Sequence, residues 1–402
     1  MTKIIKKEDC CMKVANIKRI AEKIQEIENI RQYASMVNYL ITSSINRSSI
    51  IPSNINSLRK EAKEIQAYFS QQGYNELSLD QIMLMLMIEM IIGPYLENQP
   101  DVMDYFMDLI VNESKVFDVD EFNENPYIKN IKFSEQSNGD FIFRYESEMP
   151  YELSIYNIPK RIDQLHIDIP RVACFTEEFK YPAILQKSIK STWMSVSPNE
   201  VYTMEEPINN AHGKVLTLGC GMGYFAYMAS LKENVESITI IECEQSVIDL
   251  FETFILPQFK FKEKINIIKA DAIDYLASVQ DGEYDYCFAD IWIGIEDIEP
   301  YFQIKQIGRK FKKTEIDYWI EYAFVIVLSE YIPMEIMEAF CVASGIPIPV
   351  DDESALNEQQ IRIRKYIKNL LADVEITTPK KIDDILNPKT VLKMINETDI
   401  VF

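Results

Sequence analysis

Glycine is scarce in this chain and unevenly placed. Of eleven glycines in 402 residues, none precedes Gly73, and four fall between Gly213 and Gly223 in the segment HGKVLTLGCGMGYFAYMAS. That clustering constrains the fold more than any other feature. Lys214 to Leu218 is a short β-prone run, Gly219, Gly221 and Gly223 supply a turn, and Tyr224 to Leu231 reads as a helix. A strand, a glycine turn and a helix allow a ligand to approach the backbone closely, and the helix N-terminus offers it unpaired N–H donors.

A glycine turn also serves plain strand-to-helix packing, so the residues that follow decide its meaning. Ser237 to Ile241 reads as a second strand ending in Glu242, about 20 residues beyond the turn, where an acid can accept hydrogen bonds from both hydroxyls of a ribose. A third strand, Ile265 to Ile268, leads through Lys269 and Ala270 to Asp271. That carboxylate stands where an adenine amino group can donate to it, and equally where it caps a helix over Ala272 to Ala277. The run YDYCFAD gives a fourth strand with Asp290 at its carboxyl end, the edge of an open parallel sheet where ligands settle. Glu244 reads as a solvated acid at a helix start, favoured there by the helix dipole.

Residues of about 195 to 325 resemble class I S-adenosylmethionine-dependent methyltransferases, and within that superfamily the spermidine synthase-like branch. VLTLGCGMG is similar to the nucleotide-loop motif, VESITIIECEQSVIDL to the branch's second strand and helix, KADAIDYL to its adenine segment and YDYCFAD to the strand that ends at the reaction centre. The resemblance implies S-adenosylmethionine, or its decarboxylated form, as cofactor. Gly219, Gly221 and Gly223 would then meet its methionine arm, Glu242 its ribose, and Asp271 with Ala272 its adenine. Asp290 would be the catalytic acid, orienting or deprotonating a nucleophile or else holding the cofactor's amino group. Tyr224 and Trp292 are candidates for the substrate pocket, where aromatic faces attract sulfonium or ammonium cations, or for plain core packing. Two acids usual in aminopropyltransferases are replaced by Met222 and Ile293, and the Asn/Asp-Pro-Pro-aromatic signature of many amino-group methyltransferases is missing.

Outside this region the pattern differs. Ile17, Ile20, Ile24, Ile27 and Ile30 recur at helical spacing, and further helices are expected over Ile55 to Gln72, Ser78 to Ile92 and Pro100 to Asn112. The apolar run from Ile82 to Ile92 is too short to span a bilayer and reads as a buried helix. Alternation then takes over, with Asn138-Gly139 as a hairpin signal, followed by a helix over Phe179 to Ser191. EIDYWIE suggests a fifth strand, YAFVIVLSEYIPMEIMEAF a helix, and Glu353 to Leu371 another. The expected organisation is a helical N-terminal domain (1–125), a small antiparallel β unit (126–190), a Rossmann-like α/β domain (191–345) and a helical extension (346–402).

A net charge of −22 argues against nucleic acid or an anionic membrane as partner and suits a cationic substrate. Cys10, Cys11, Cys174, Cys220, Cys243, Cys287 and Cys341 show no CxxC pairing, and His166 and His212 are the only histidines, so no metal site is expected. The cysteine usage fits a reducing compartment, and with no signal-peptide pattern at the start a cytoplasmic location is expected. The basic run Lys305, Arg309, Lys310, Lys312 and Lys313 is assigned no site. The leading expectation is a methyltransferase for a small amine or hydroxyl substrate, with a possible homo-oligomer contact through the helical N-terminal domain. Its alternatives are an aminopropyl or aminocarboxypropyl transferase, similar to polyamine or nicotianamine synthases, and a non-catalytic nucleotide-binding assembly protein.

Overall fold

The structure is a computed structural model that describes residues 12–46, 55–72, 77–295, 297–347 and 356–402. It separates into two compact units, one of Val37–Lys160 with Ile169–Trp319, the other of Met1–Met36, Arg161–Asp168 and Ile320–Phe402.

The larger unit contains a five-stranded, all-parallel sheet in the order Ile265–Lys269, Val235–Glu242, Gly213–Leu218, Tyr286–Ala289, Glu315–Tyr318. The chain starts in the middle, builds outward to one edge, then returns to build the other. This is the Rossmann-like arrangement, and its switch point lies between Gly213–Leu218 and Tyr286–Ala289, the usual place for a ligand. Val215, Leu216, Tyr286, Cys287, Phe288 and Ala289 are fully buried, as strands covered on both faces must be. Four antiparallel strands, Gln136–Asn138, Phe141–Glu148, Phe179–Gln186 and Ser191–Ser195, form a second sheet in that order. A third sheet pairs Lys115–Phe117 in parallel with Ile167–Phe175, which is also flanked by Ser154–Ile162.

The helix expected over Phe179 to Ser191 is instead two strands. Phe179 and Ala183 are fully buried and lie four apart, a spacing common to one face of a helix and one face of a strand. Eight consecutive pairings, from Glu148 with Phe179 to Phe141 with Gln186, decide in favour of the sheet.

The helices Ile55–Gln71, Leu79–Leu96 and Pro100–Asn112 complete this unit. Leu79–Leu96 starts at a Ser78 capping box and runs past the expected end at Ile92, through Gly93 and Pro94. By length and composition it is apolar enough to cross a membrane. Ile82, Met83, Met87, Ile88 and Ile92 are each no more than 2% exposed, so they form part of the unit's own core.

In the smaller unit, Lys13–Val14 pairs in parallel with Glu375–Ile376. The single helix expected over 322–340 is two, Glu321–Ser329 and Ile332–Ser344, because Pro333 has no N–H to continue the first and sits well in the opening turn of the second. Glu358–Leu370 starts at an Asn357 capping box, later than the expected Glu353, which lies outside the described residues. The two units cut across the four consecutive segments read from the sequence. Pairing between the chain's ends is carried by two-residue strands, too short to leave a sequence pattern.

Candidate functional site

A cavity of ≈ 220 Å³ opens at the carboxyl ends of the parallel strands, and all its walls belong to the larger unit. The glycine turn forms its floor. Gly219 has φ +99°, and a Cβ there would stand 2.1 Å from the carbonyl oxygen of Asp290, so no other residue fits without moving the neighbouring strand end. Gly223 has φ +71°, and a Cβ would meet the Phe251 ring at 2.2 Å. Gly221 lies beneath Met194, which approaches from outside the sheet. The turn is held from the side as well, by the fully buried Tyr127, whose hydroxyl donates to the Met222 carbonyl.

At one end of the cavity stand the two acids the sequence singled out for a nucleoside. Glu242 is 5% exposed and its carboxylate is fixed by two backbone donors, Cys220 N–H to Oε2 at 3.1 Å and Glu244 N–H to Oε1 at 2.8 Å. The first of these ties the acid to the glycine turn. Asp271 accepts from the N–H groups of Ile273 and Asp274, both at 2.9 Å on Oδ1, and so caps the helix Ala272–Ser278. It lines the cavity too, beside Ala270 and Ala272, so capping and ligand contact are compatible.

Asp290 stands at the other end. It is 8% exposed, and its Oδ1 is buried without any hydrogen-bond partner. Burial first, and then the nearby Glu200 carboxylate, push its carboxyl well above the usual range. Trp292 also lines the cavity, its indole N–H donating to the Trp319 carbonyl at 3.1 Å. Tyr224 lies deeper, under the glycine turn, with its hydroxyl accepting from Asn125 at 3.0 Å. The sheet thus brings Gly219, Gly221, Glu242, Asp271, Ala272, Asp290 and Trp292 to one cavity. Gly223 is not among its lining residues and serves the turn against Phe251.

Sequence reasoning missed the opposite wall. It comes from Trp193, Met194, Glu200, Met204 and Trp319, so all three tryptophans of the chain meet in this cavity. Glu200, in the opening turn of the helix Pro198–Thr203, accepts from Ser195 N–H at 3.1 Å and from the Ser195 hydroxyl at 3.3 Å. Desolvation pushes its carboxyl up to about 7 despite these bonds. An acid in the first turn of a helix is ordinary by the dipole argument, so nothing local marked it. The one available signal was the gathering of tryptophan, methionine and an acid in WMSVSPNEVYTM.

The basic run has local employment. Lys310 Nζ donates to the carbonyls of Leu276 and Ala277 at the end of the helix Ala272–Ser278, and Lys305, 8% exposed, lies 4.3 Å from the Tyr318 ring centre.

Residues 203–315 match the spermine/spermidine synthase domain. The matching segment covers four strands of the parallel sheet and ends at the first residue of the fifth, Glu315–Tyr318. No curated protein matches the chain. Among solved structures it is similar to spermidine synthase from Thermotoga maritima, at 13% identity over 42% of this chain and 60% of that one, with a TM-score of 0.28. A spermidine synthase in complex with the transition state analogue AdoDATO gives 13%, 42%, 59% and 0.27. An SAH-bound methyltransferase from Podospora anserina gives 15%, 48%, 68% and 0.27. The chain therefore spans about three fifths of the length of those spermidine synthases.

Proposed function

We propose that this protein is an S-adenosylmethionine-dependent transferase, with methyl transfer to a small nucleophile as the leading reaction. The observation that carries the reading is the ordered cavity. Glu242, locked to the glycine turn, stands at one end, and Asp290, buried with a free carboxylate oxygen, at the other. The match of residues 203–315 to a synthase domain supports a sulfonium nucleotide as cofactor.

When bound, such a cofactor supplies an electrophilic carbon next to a sulfonium, which needs alignment more than covalent help. Glu242 is placed to hold the ribose hydroxyls, because both of its oxygens are already aimed by backbone N–H groups and need no reorganisation. Asp271, with Ala272 beside it, is placed for the adenine edge. Gly219 and Gly221 leave the backbone bare where the methionine arm would lie. Asp290 is placed to orient the nucleophile and accept its proton, and burial raises its affinity for that proton. Trp292 and Trp319 exclude water from that end.

Transfer of the aminopropyl or aminocarboxypropyl arm is the second reading, favoured by the domain match itself. Incubation with S-adenosylmethionine, or its decarboxylated form, and mass spectrometry of the products separates the two. S-adenosylhomocysteine marks methyl transfer and methylthioadenosine marks arm transfer. If calorimetry finds no binding of either nucleotide to folded protein, both readings fall and an assembly role replaces them.

A further inference from the structure

Four carboxylic acids line the cavity and its deep extension, Glu200, Glu242, Asp271 and Asp290, and no lysine, arginine or histidine accompanies them among the described lining residues. Three of the four accept from backbone N–H donors, Glu242 from Cys220 and Glu244, Asp271 from its own helix, and Glu200 from Ser195. Asp290 and Glu200 line both the cavity and the deep extension. Asp290 keeps an unpartnered oxygen at 8% exposure, and Glu200 is anchored through Oε1 alone, to Ser195. Further acids stand around the site, Glu205 within electrostatic reach of Tyr224, Glu146, Glu148 and Glu152 within reach of Tyr181, and Glu252 within reach of Cys220. The phenols of Tyr127, Tyr181 and Tyr224 lie within electrostatic reach of Glu200, and burial pushes all three up, away from ionisation. Met222 and Ile293, which also line these spaces, carry no charge.

A buried acid beside a part-buried one, with no base among the described lining residues, is unfavourable until a cation reaches the pair. We propose that Glu200 is the second acid of this site and that, with Asp290, it holds the single ammonium group of an acceptor whose body is apolar and lies among Trp193, Met194, Met204 and Trp319. This rests on the transferase reading above and names its acceptor class. One acid pair at one end matches one cation, and the aromatic and thioether walls match an apolar body and favour a cation in front of the rings. Burial raises both carboxyls, Glu200 to about 7. An arriving ammonium favours both carboxylates in their charged form, so binding releases a proton to solvent.

The test uses the full-length protein, with and without saturating S-adenosylhomocysteine. It is titrated calorimetrically at pH 7 with 2-phenylethylamine, 1,4-diaminobutane and neutral 2-phenylethanol, in two buffers of different ionisation enthalpy. The monoamine is expected to bind at least ~10-fold more tightly than the other two, and Glu200→Gln to weaken it by ~10-fold, the worth of one charge-assisted contact. Proton release should fall in Glu200→Gln and return in Glu200→Asp, while nucleotide affinity is unchanged. The proposal is overturned if Glu200→Gln binds the amine like wild type, if the diamine or the alcohol binds best, or if no amine binds to protein that binds the nucleotide. Loss of nucleotide affinity in Glu200→Gln also overturns it, since the acid would then serve the cofactor. Failure of wild type to bind S-adenosylhomocysteine counts against the transferase reading alone, because the titrations without nucleotide still test the acid pair.

Discussion

Two pairs of acids in this chain, one buried and the other made of buried Asp290 and part-buried Glu200, have opposite surroundings. In the smaller unit, Glu335 and Glu338, each 3% exposed, point from the helix Ile332–Ser344 at two cations. Arg364 reaches Glu335 at 2.8 Å and Glu338 at 2.7 Å, and Lys368 adds contacts of 3.7 and 3.2 Å. In the larger unit, Asp290 and Glu200 have no base among the described residues that line their cavity. Burial raises Glu335 as it raises Asp290, but only Glu335 has Arg364 and Lys368 to pull it back. The first pair is neutralised by the fold and acts as a clamp between helices. The second is left charged or protonated according to pH, at an energetic cost, and it sits where a ligand can remove that cost.

Breaking the clamp should give the largest effect. Arg364→Leu leaves two buried carboxylates facing Lys368 alone and is expected to cost about 3–5 kcal/mol in urea unfolding. A loss below about 1 kcal/mol would erase the contrast between the two pairs.

The next effect is one of pH. Burial pushes Glu148, like Glu200, up to about 7. A carboxyl raised in the folded state contributes stability that is complete below its ordinary range near 4.5 and is lost as pH rises through about 7. For Glu148, 8% exposed, the loss amounts to about 3 kcal/mol at most. Unfolding midpoints measured from pH 5 to pH 8 should therefore fall for wild type and fall less for Glu148→Gln. A flat wild-type profile would contradict the burial argument.

A smaller effect has the opposite sign. Asp290→Asn removes a buried charge that has no base beside it, so at pH 8 it should leave the protein unchanged or stabilise it by about 1–2 kcal/mol while transfer is lost. Destabilisation comparable to that of Arg364→Leu would mean that Asp290 is a structural acid after all. Smallest of the four, Asp271→Ala should cost about 1 kcal/mol, the worth of one N-cap. Any fall in nucleotide affinity beyond that, measured on the folded variant, assigns Asp271 a second role at the adenine.

Much of the cavity's floor was legible because its signals are local. The central strands of the parallel sheet carry short apolar runs, and Glu242 and Asp290 are the polar residues at the ends of two of them. Gly219, Gly221 and Gly223 stand out because they cluster in a chain otherwise poor in glycine. The opposite wall was not legible. Phe179–Gln186 carries an apolar spacing that a helix and a strand share, and only its partner Phe141–Glu148 resolves the choice. Once that sheet is in place, the next strand, Ser191–Ser195, puts Trp193 and Met194 over the glycine turn and leads directly into Glu200.

By itself the sequence determined the strand, glycine turn and helix and the acids at two strand ends, because backbone sterics and hydrophobic period act between near neighbours along the chain. Which buried acid has a base beside it was decided only by tertiary structure. Arg364 reaches Glu335 and Glu338 from another helix, while Glu200 and Asp290 line one cavity with no cation among its described lining residues. Desolvation and charge pairing depend on what distant segments bring together, and no residue carries that information alone.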